Sequence, residues 1–199
     1  TPWSVRSCLR AAVMNTNGVL YLSNYDVKKV LHLGRAIEIT EQALRDHSEG
    51  RVIWSTPEDL AIKPETGWQS WVTGCALANE LIAGFRIRSI KAAGGSRDTS
   101  RPPRGPRRIL ILSDREGGEI RAIMDEDWCH AVRTAAAATV ALRLLARKDS
   151  AVMTMLGAGD TARAAVPVMA QAFRLKEIRV TSRTPESRRD YAKEIGREY

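Results

Sequence analysis

Gly157, Gly159 and Ala162 form a G-x-G-x-x-A pattern inside the stretch AVMTML-GAGDTA-RAAVPVM. This spacing suits bringing backbone amides up to a phosphate. Gly157 lets the chain turn tightly after an apolar run. Gly159 has no Cβ, so a pyrophosphate can approach the backbone, and Ala162 is small enough for a helix to pack on a strand. The amides of residues 160–163 then face the anion with the helix dipole behind them. Such a string alone is a weak signal. Here an apolar run precedes it, a helical stretch follows, and a second strand candidate at residues 177–181 lies at the right distance. That agreement favours a dinucleotide site over an ordinary tight turn. Two residues oppose it. The Asp160 carboxylate would repel a pyrophosphate unless it turns back to cap the helix, and Pro167 removes a helical hydrogen bond or forces a kink.

The tip of the second strand chooses between cofactors. An NAD site usually offers Asp or Glu there to hold the ribose 2′-OH. This strand runs into Ser182-Arg183-Thr184, about 25 positions past Gly157, with no acid at the tip. A cation flanked by two hydroxyls suits a 2′-phosphate, so NADP(H) is preferred over NAD(H). The plainer alternative makes Arg183 a solvated turn residue and Thr184 a cap for the next helix.

These loops need a framework. Asn24 can cap a helix starting near Asp26, and a second helix spans about 35–48, ending at Gly50. Strand-forming runs follow at 52–55, 68–72 and 81–90. Residues 109–112 and 119–124 then read as a hairpin around Asp114-Arg115-Glu116-Gly117-Gly118. Residues 127–146 are alanine-rich, without glycine or proline, and predict a long helix. A strand at 151–156, a helix at 161–173, a strand at 177–181 and a helix from 187 complete the chain. The predicted fold class combines α+β with α/β: an α+β domain at 14–134, then a doubly wound, Rossmann-type domain from 135 to 199.

Composition sets the outer bounds. With 199 residues, 44% hydrophobic and 27% charged, the chain is neither disordered nor collagen-like. No apolar run approaches the roughly 18 residues of a membrane span. Three scattered cysteines (Cys8, Cys75, Cys129) make no disulfide framework, which points to a reducing, cytoplasmic setting. The net charge of +8 raises nucleic acid as a partner. The densest basic run, residues 97–108, interleaves Arg97, Arg101, Arg104, Arg107 and Arg108 with three prolines. It has no aromatic residue to stack on a base and reads as a stiff solvated loop. His32, His47 and His130 lack metal-ligand spacing. Trp54, Trp68 and Trp71 read as core or dimer interface, and Glu126 and Asp127 as charges opening the long helix. Residues 1–13 contain no acid and precede Met14, so they read as an extension outside the fold.

The run from 109 to 184 resembles the ornithine cyclodeaminase and mu-crystallin family. The matching pieces are ILILSDREGGEIRAIMDEDWCHAVRTAAAATVALRLLARKDS, VMTMLGAGDTARA and EIRVTSRTPES. The resemblance extends back to LYLSNYDVKKVL. It implies a substrate-binding and dimerisation domain joined to a Rossmann domain, in a homodimer. The implied chemistry is NAD(P)-dependent hydride exchange at the α-carbon of an amino or cyclic imino acid, with no nucleic-acid or membrane partner. Residue by residue, Arg133 matches a family arginine facing the bound ligands, and its guanidinium fork suits a carboxylate. Thr134 matches a cofactor-side position. Gly157, Gly159, Asp160 and Thr161 match the pyrophosphate loop, and Ser182, Arg183 and Thr184 follow the second strand. An interhelical salt bridge is the alternative role for Arg133.

The departures bear on substrate. Where the cyclodeaminase branch carries Gly-x-Lys, this chain reads Gly84-Phe85-Arg86. Arginine binds a carboxylate but is a poor proton acceptor, so Arg86 is a substrate-binding candidate without a proton role. The resemblance further implies that the second mononucleotide half, with the acidic catalytic residue, lies beyond Tyr199. The expectation is that residues 1–199 alone are poorly soluble and inactive. A non-catalytic NADPH and small-ligand binding protein is the alternative function. A shikimate-dehydrogenase or glutamyl-tRNA-reductase type domain would share the glycine loop but not the upstream hairpin and RTAAAA helix.

Overall fold

A computed structural model describes residues 13–14, 18–65, 67–78, 80–91 and 105–199. Most of the 1–13 extension and most of the arginine-proline run lie outside them. Val13 does belong to the fold: the short strand β1 (Val13–Met14) pairs antiparallel with β2 (Leu20–Leu22).

The chain divides into two compact units. The first comprises Thr1–Val30 and Arg45–Asp127, the second Leu31–Leu44 and Trp128–Tyr199. The expected break after residue 134 would fall within a continuous helix. The observed division lies at that helix's start, because its alanine face packs within the second unit.

The first unit is built on a seven-stranded sheet. Its order is β1-β2-β7-β6-β5-β4-β3, with β3 at Val52–Ile62, β4 at Trp68–Leu77, β5 at Ile82–Lys91, β6 at Arg108–Asp114 and β7 at Ile120–Asp125. Neighbours run antiparallel except β2 and β7, which are parallel. Helix α1 (Asn24–Val30) opens with Asp26, whose carboxylate accepts from the Ser23 amide and hydroxyl. The β6–β7 turn forms because Asp114 Oδ1 accepts from the amides of Glu116 and Gly117, while Gly118 takes a positive φ of 74°. Those amides hold the Asp114 carboxyl below its ordinary range. Their stabilisation is therefore present at neutral pH and fades as pH falls through the lowered value.

Period-two alternation gives this sheet two unlike faces. Cross-strand register puts Leu60, Val72, Ile87 and Ile109 in one row, with Phe85 and Ile111 in the next. Several are exposed, Leu60 at 60% and Ile62 at 70%. A Cβ at Gly74 would stand 3.0 Å from Phe85 Cδ1, so glycine lets that ring lie across the neighbouring strand. The opposite face carries Thr73, Arg86 and Leu110 in one row and Trp71, Arg88 and Arg108 in the next.

The second unit follows the β-α-β-α order expected from the sequence: β8 (Val152–Leu156), α4 (Asp160–Met169), β9 (Glu177–Thr181) and α5 (Pro185–Glu198). The two strands are parallel, which requires the crossover helix between them. The long helix α3 (Asp127–Leu145) buries Val132, Ala135, Ala136 and Val140 at helical spacing against Ile37 of α2 (Leu33–Ser48) and Val168 and Met169 of α4. Buried Thr139 satisfies its hydroxyl on the Ala135 carbonyl, 2.8 Å away. A second cluster joins Ala162 and Val166 of α4 to Tyr191 and Ile195 of α5, over Met153, Met155, Ile178 and Val180. Pro167 is buried within α4. The helix ends two residues later, so its missing N–H costs little continuation.

Ala136 has no exposed surface. Ala136→Leu is expected to destabilise the protein by about 1–3 kcal/mol through overpacking, read as a lower urea midpoint at unchanged m-value.

Candidate cofactor and substrate sites

In the second unit, β8 ends at Leu156 and the chain reverses at Gly157, whose φ of +116° favours glycine. The Gly157 amide donates to the Thr181 carbonyl at 2.7 Å, tying the carboxyl tips of β8 and β9. Gly159, in extended backbone, is the N-cap of α4, and no side chain caps that end. Arg163 N–H donates to the Gly159 carbonyl at 3.0 Å, which removes it from the expected set of anion-facing amides. Asp160, Thr161 and Ala162 remain as the first-turn amides with no intrahelical acceptor. Asp160 does not turn back to cap the helix; it is exposed at the first helical position.

These elements open onto a cleft of about 680 Å³ lined by Leu156 to Gly159, Thr181 to Thr184, and Ser187. No lining residue is acidic. Thr184 is the N-cap of α5: its Oγ1 accepts from the Ser187 amide. Ser182 Oγ lies 2.7 Å from Ser187 Oγ, and Arg188 donates to the Ser182 carbonyl at 2.6 Å. The hydroxyls of Ser182 and Thr184 thus brace the β9–α5 turn. Arg183 is exposed and makes no hydrogen bond or ion pair among the described residues.

Arg163 is a residue that motif reading misses. Its Nη1 donates to the Ala158 carbonyl within the glycine loop, and its Nε donates to Glu194 on α5 at 2.7 Å. Tyr191 lies beneath it and donates its hydroxyl to the Ala162 carbonyl at 3.0 Å. Burial pushes the Tyr191 phenol up; the Arg163 cation opposes this and Glu194 adds to it, so the phenol stays a donor at neutral pH. Nothing in the G-x-G-x-x-A string announces this brace. The i,i+3 spacing of Tyr191 and Glu194 hints at it.

The resemblance-derived residues sit elsewhere. Thr134 donates to the His130 carbonyl, one turn back on α3, at 2.7 Å. Arg133 is exposed and bonds His130 Nδ1 at 2.7 Å, a contact within the helix. Neither residue lines the cleft. In the first unit, Arg86 Nε donates to Glu126 Oε2 at 2.7 Å. Side-chain exposures of 20% and 7% make this a partly buried pair. Glu126, directly ahead of α3, thus also serves as the acid of a sheet arginine. Trp54 and Trp68 are both more than 40% exposed in the single chain, so neither is core; Trp54 lies edge-on to His47 and Trp68 beneath Arg107. Among the described residues no three His, Cys, Asp or Glu side chains converge as metal ligands, and no helix is long and apolar enough to cross a membrane.

Comparison with known proteins places this geometry. The chain is 34% identical over 86 residues to ketimine reductase mu-crystallin of Mus musculus, covering 43% of this chain and 28% of that one. It is 24% identical over 160 residues to alanine dehydrogenase of Archaeoglobus fulgidus, covering 80% and 47%. Among solved structures, the Δ1-pyrroline-2-carboxylate reductase of Thermococcus litoralis, in complex with NADH and L-proline, superposes with a TM-score of 0.78 at 23% identity. The match covers 90% of this chain and 54% of that one. An archaeal alanine dehydrogenase dimer with bound NAD gives 0.75 at 20% identity. The chain thus spans about half the length of these relatives or less, and the likeness in structure establishes the shared fold, with a Rossmann-type unit. The ornithine cyclodeaminase/mu-crystallin family profile matches residues 19–199, and this chain belongs to that family.

Proposed function

We propose that this chain contributes the substrate-binding unit and the first half of the cofactor-binding unit of an NAD(P)-dependent enzyme that exchanges hydride with the α-carbon of an amino or cyclic imino acid. One observation carries the reading. A glycine turn at a strand's carboxyl tip leaves three helix-start amides without acceptors above an open cleft that has no acidic lining residue. Pyrophosphate oxygens fit those donors, and the cleft leads from them to the β9 tip, where the adenosine ribose would lie. Bound there, the nicotinamide cofactor supplies hydride chemistry; the chain's residues bind and orient.

Gly157, Gly159, Asp160 and Thr161 form the pyrophosphate loop, and Thr134 serves the cofactor side. Arg183 is the unpaired cation at the ribose end, with Ser182 and Thr184 holding its turn. This supports NADP(H) over NAD(H). Arg86, its guanidinium oriented by Glu126, is the substrate-binding candidate of the first unit, and Arg133 that of the second. The family relationship supports a homodimer, and the exposed apolar face at Leu60, Ile62, Phe85 and Ile87 is the surface best suited to pairing. Ile62→Arg should then convert a dimer into monomers in light scattering.

The test is titration with NADPH and NADH, followed by an assay of NADPH oxidation with a cyclic imino carboxylate. Arg183→Glu should weaken NADPH by about tenfold or more, as expected for losing a charge-assisted bond, and change NADH little. Equal affinities for the two cofactors in the parent protein would overturn the preference. Gly157→Ala forces a non-glycine residue to positive φ, at about 1–3 kcal/mol, and should abolish binding of both cofactors. Binding without turnover would leave a nucleotide-holding protein instead of an enzyme.

A further inference from the structure

Both walls of the cofactor cleft are fastened to one helix. One wall is the glycine loop, Leu156 to Gly159, and the other is the β9–α5 turn, Thr181 to Thr184. On α5, Ser187, Tyr191 and Glu194 follow helical spacing and share one face. The Ser187 hydroxyl lies 2.7 Å from Ser182 Oγ and 3.1 Å from the Thr184 carbonyl, which holds the turn. Further along the helix, Glu194 accepts from Arg163 Nε at 2.7 Å, and Arg163 Nη1 donates to the Ala158 carbonyl in the loop. The Tyr191 hydroxyl adds a bond to the Ala162 carbonyl at 3.0 Å.

Folding stability alone does not account for this arrangement. The Arg163 and Glu194 side chains are 28% and 45% exposed, and an ion pair so open to water contributes little to stability. The guanidinium fork nevertheless joins two elements, one prong on the loop and the other on the helix. Arg163, Tyr191 and Glu194 do not line the cleft, so they reach a ligand there only through the loop. A dinucleotide touches both walls at once. A mononucleotide at the β9 tip touches one. The spacing of the walls therefore governs binding of the first and not of the second.

We propose that Arg163 is a positioning residue for the dinucleotide. By bridging the Ala158 carbonyl and Glu194 it sets the glycine loop against α5, and so fixes the distance between the pyrophosphate and ribose ends of the cleft. Glu194 is its anchor, and Tyr191 is a second tie. This rests on the dinucleotide reading above and adds residues that lie outside the glycine motif.

The experiment compares the parent protein with Arg163→Gln, Glu194→Ala and Glu194→Gln. Calorimetry measures NADPH, NADH and adenosine 2′-monophosphate, the last as a probe of the β9–α5 wall alone, and a urea titration follows folding. Arg163→Gln and Glu194→Ala should weaken both dinucleotides by about fivefold or more. Adenosine 2′-monophosphate should stay within about twofold of its parental affinity, and the urea midpoint near the parental one. In turnover with a cyclic imino carboxylate, the loss should fall on the cofactor KM, with kcat within about twofold. Glu194→Gln keeps an acceptor for Arg163 Nε and should retain most of the affinity. Equal weakening of dinucleotides and monophosphate shows a general shift of α5 and overturns the positioning role. Folded variants with parental dinucleotide affinity overturn it as well. If Arg163→Gln does not fold, Glu194→Ala decides by the same comparison. If the monophosphate does not bind the parent, dinucleotide loss at an unchanged urea midpoint decides. A parent protein that binds neither dinucleotide removes the cofactor reading and the positioning role together. A parent that binds them, with variants that match it, removes the positioning role alone.

Discussion

The anion site of the second unit depends on the turn at Gly157. Gly157 turns at positive φ and donates its N–H to Thr181, which closes the carboxyl end of the parallel β8–β9 ladder. With the tips aligned, α4 must begin at Gly159 and point its first amides outward. The helix cannot satisfy Asp160, Thr161 and Ala162 itself, and no side chain does so. A residue with a Cβ at 157 would be strained in that conformation, and the helix start would move with it. The anion site is therefore a consequence of chain geometry more than of side-chain chemistry.

That geometry is held from behind. Arg163 reaches back to the Ala158 carbonyl and sideways to Glu194, while Tyr191 bonds the Ala162 carbonyl from below. The loop is clamped between its own helix and the next, so the amides are preorganised and do not have to be gathered on binding. Two carbonyls of the loop region are thereby occupied by protein donors, and the exposed amides keep the positive side of the loop. Asp160 remains the dissenting charge. Its exposure at the first helical position lets water screen it, which weakens the repulsion expected from the sequence without removing it.

How much of this was legible beforehand follows from the range of each interaction. Local ones could be read. The glycine spacing, the Asp114 turn, the alanine face of α3 and the Thr184 cap each involve residues within a few positions of one another, and their elements form where the patterns predict. Interactions across long separations could not. Arg86 and Glu126 are 40 positions apart, so Glu126 looked like a helix-opening charge until the sheet brought the two together. The division into units is of the same kind: the buried face of α3 is visible as a stripe, but the unit it packs within is not. Which strand face a tryptophan shares with a cation is likewise set by cross-strand register, as for Trp71 with Arg88 and Trp68 with Arg107, and not by composition.

The contrast between the two units is one of mechanism. The second uses backbone donors, whose strength is fixed by the fold and does not change with pH. The first uses arginines, and there the question is which of them remains unbalanced after folding. Sequence singles out Arg86 by its place after Gly84-Phe85 but gives no partner for it, for Arg88 or for Arg108. The sheet register makes them unequal by placing Glu126 and Asp127 within reach of the first and last and leaving the middle one on an indole. A cation in that position is costly in the free protein, since a buried donor without an acceptor loses the full price of its desolvation.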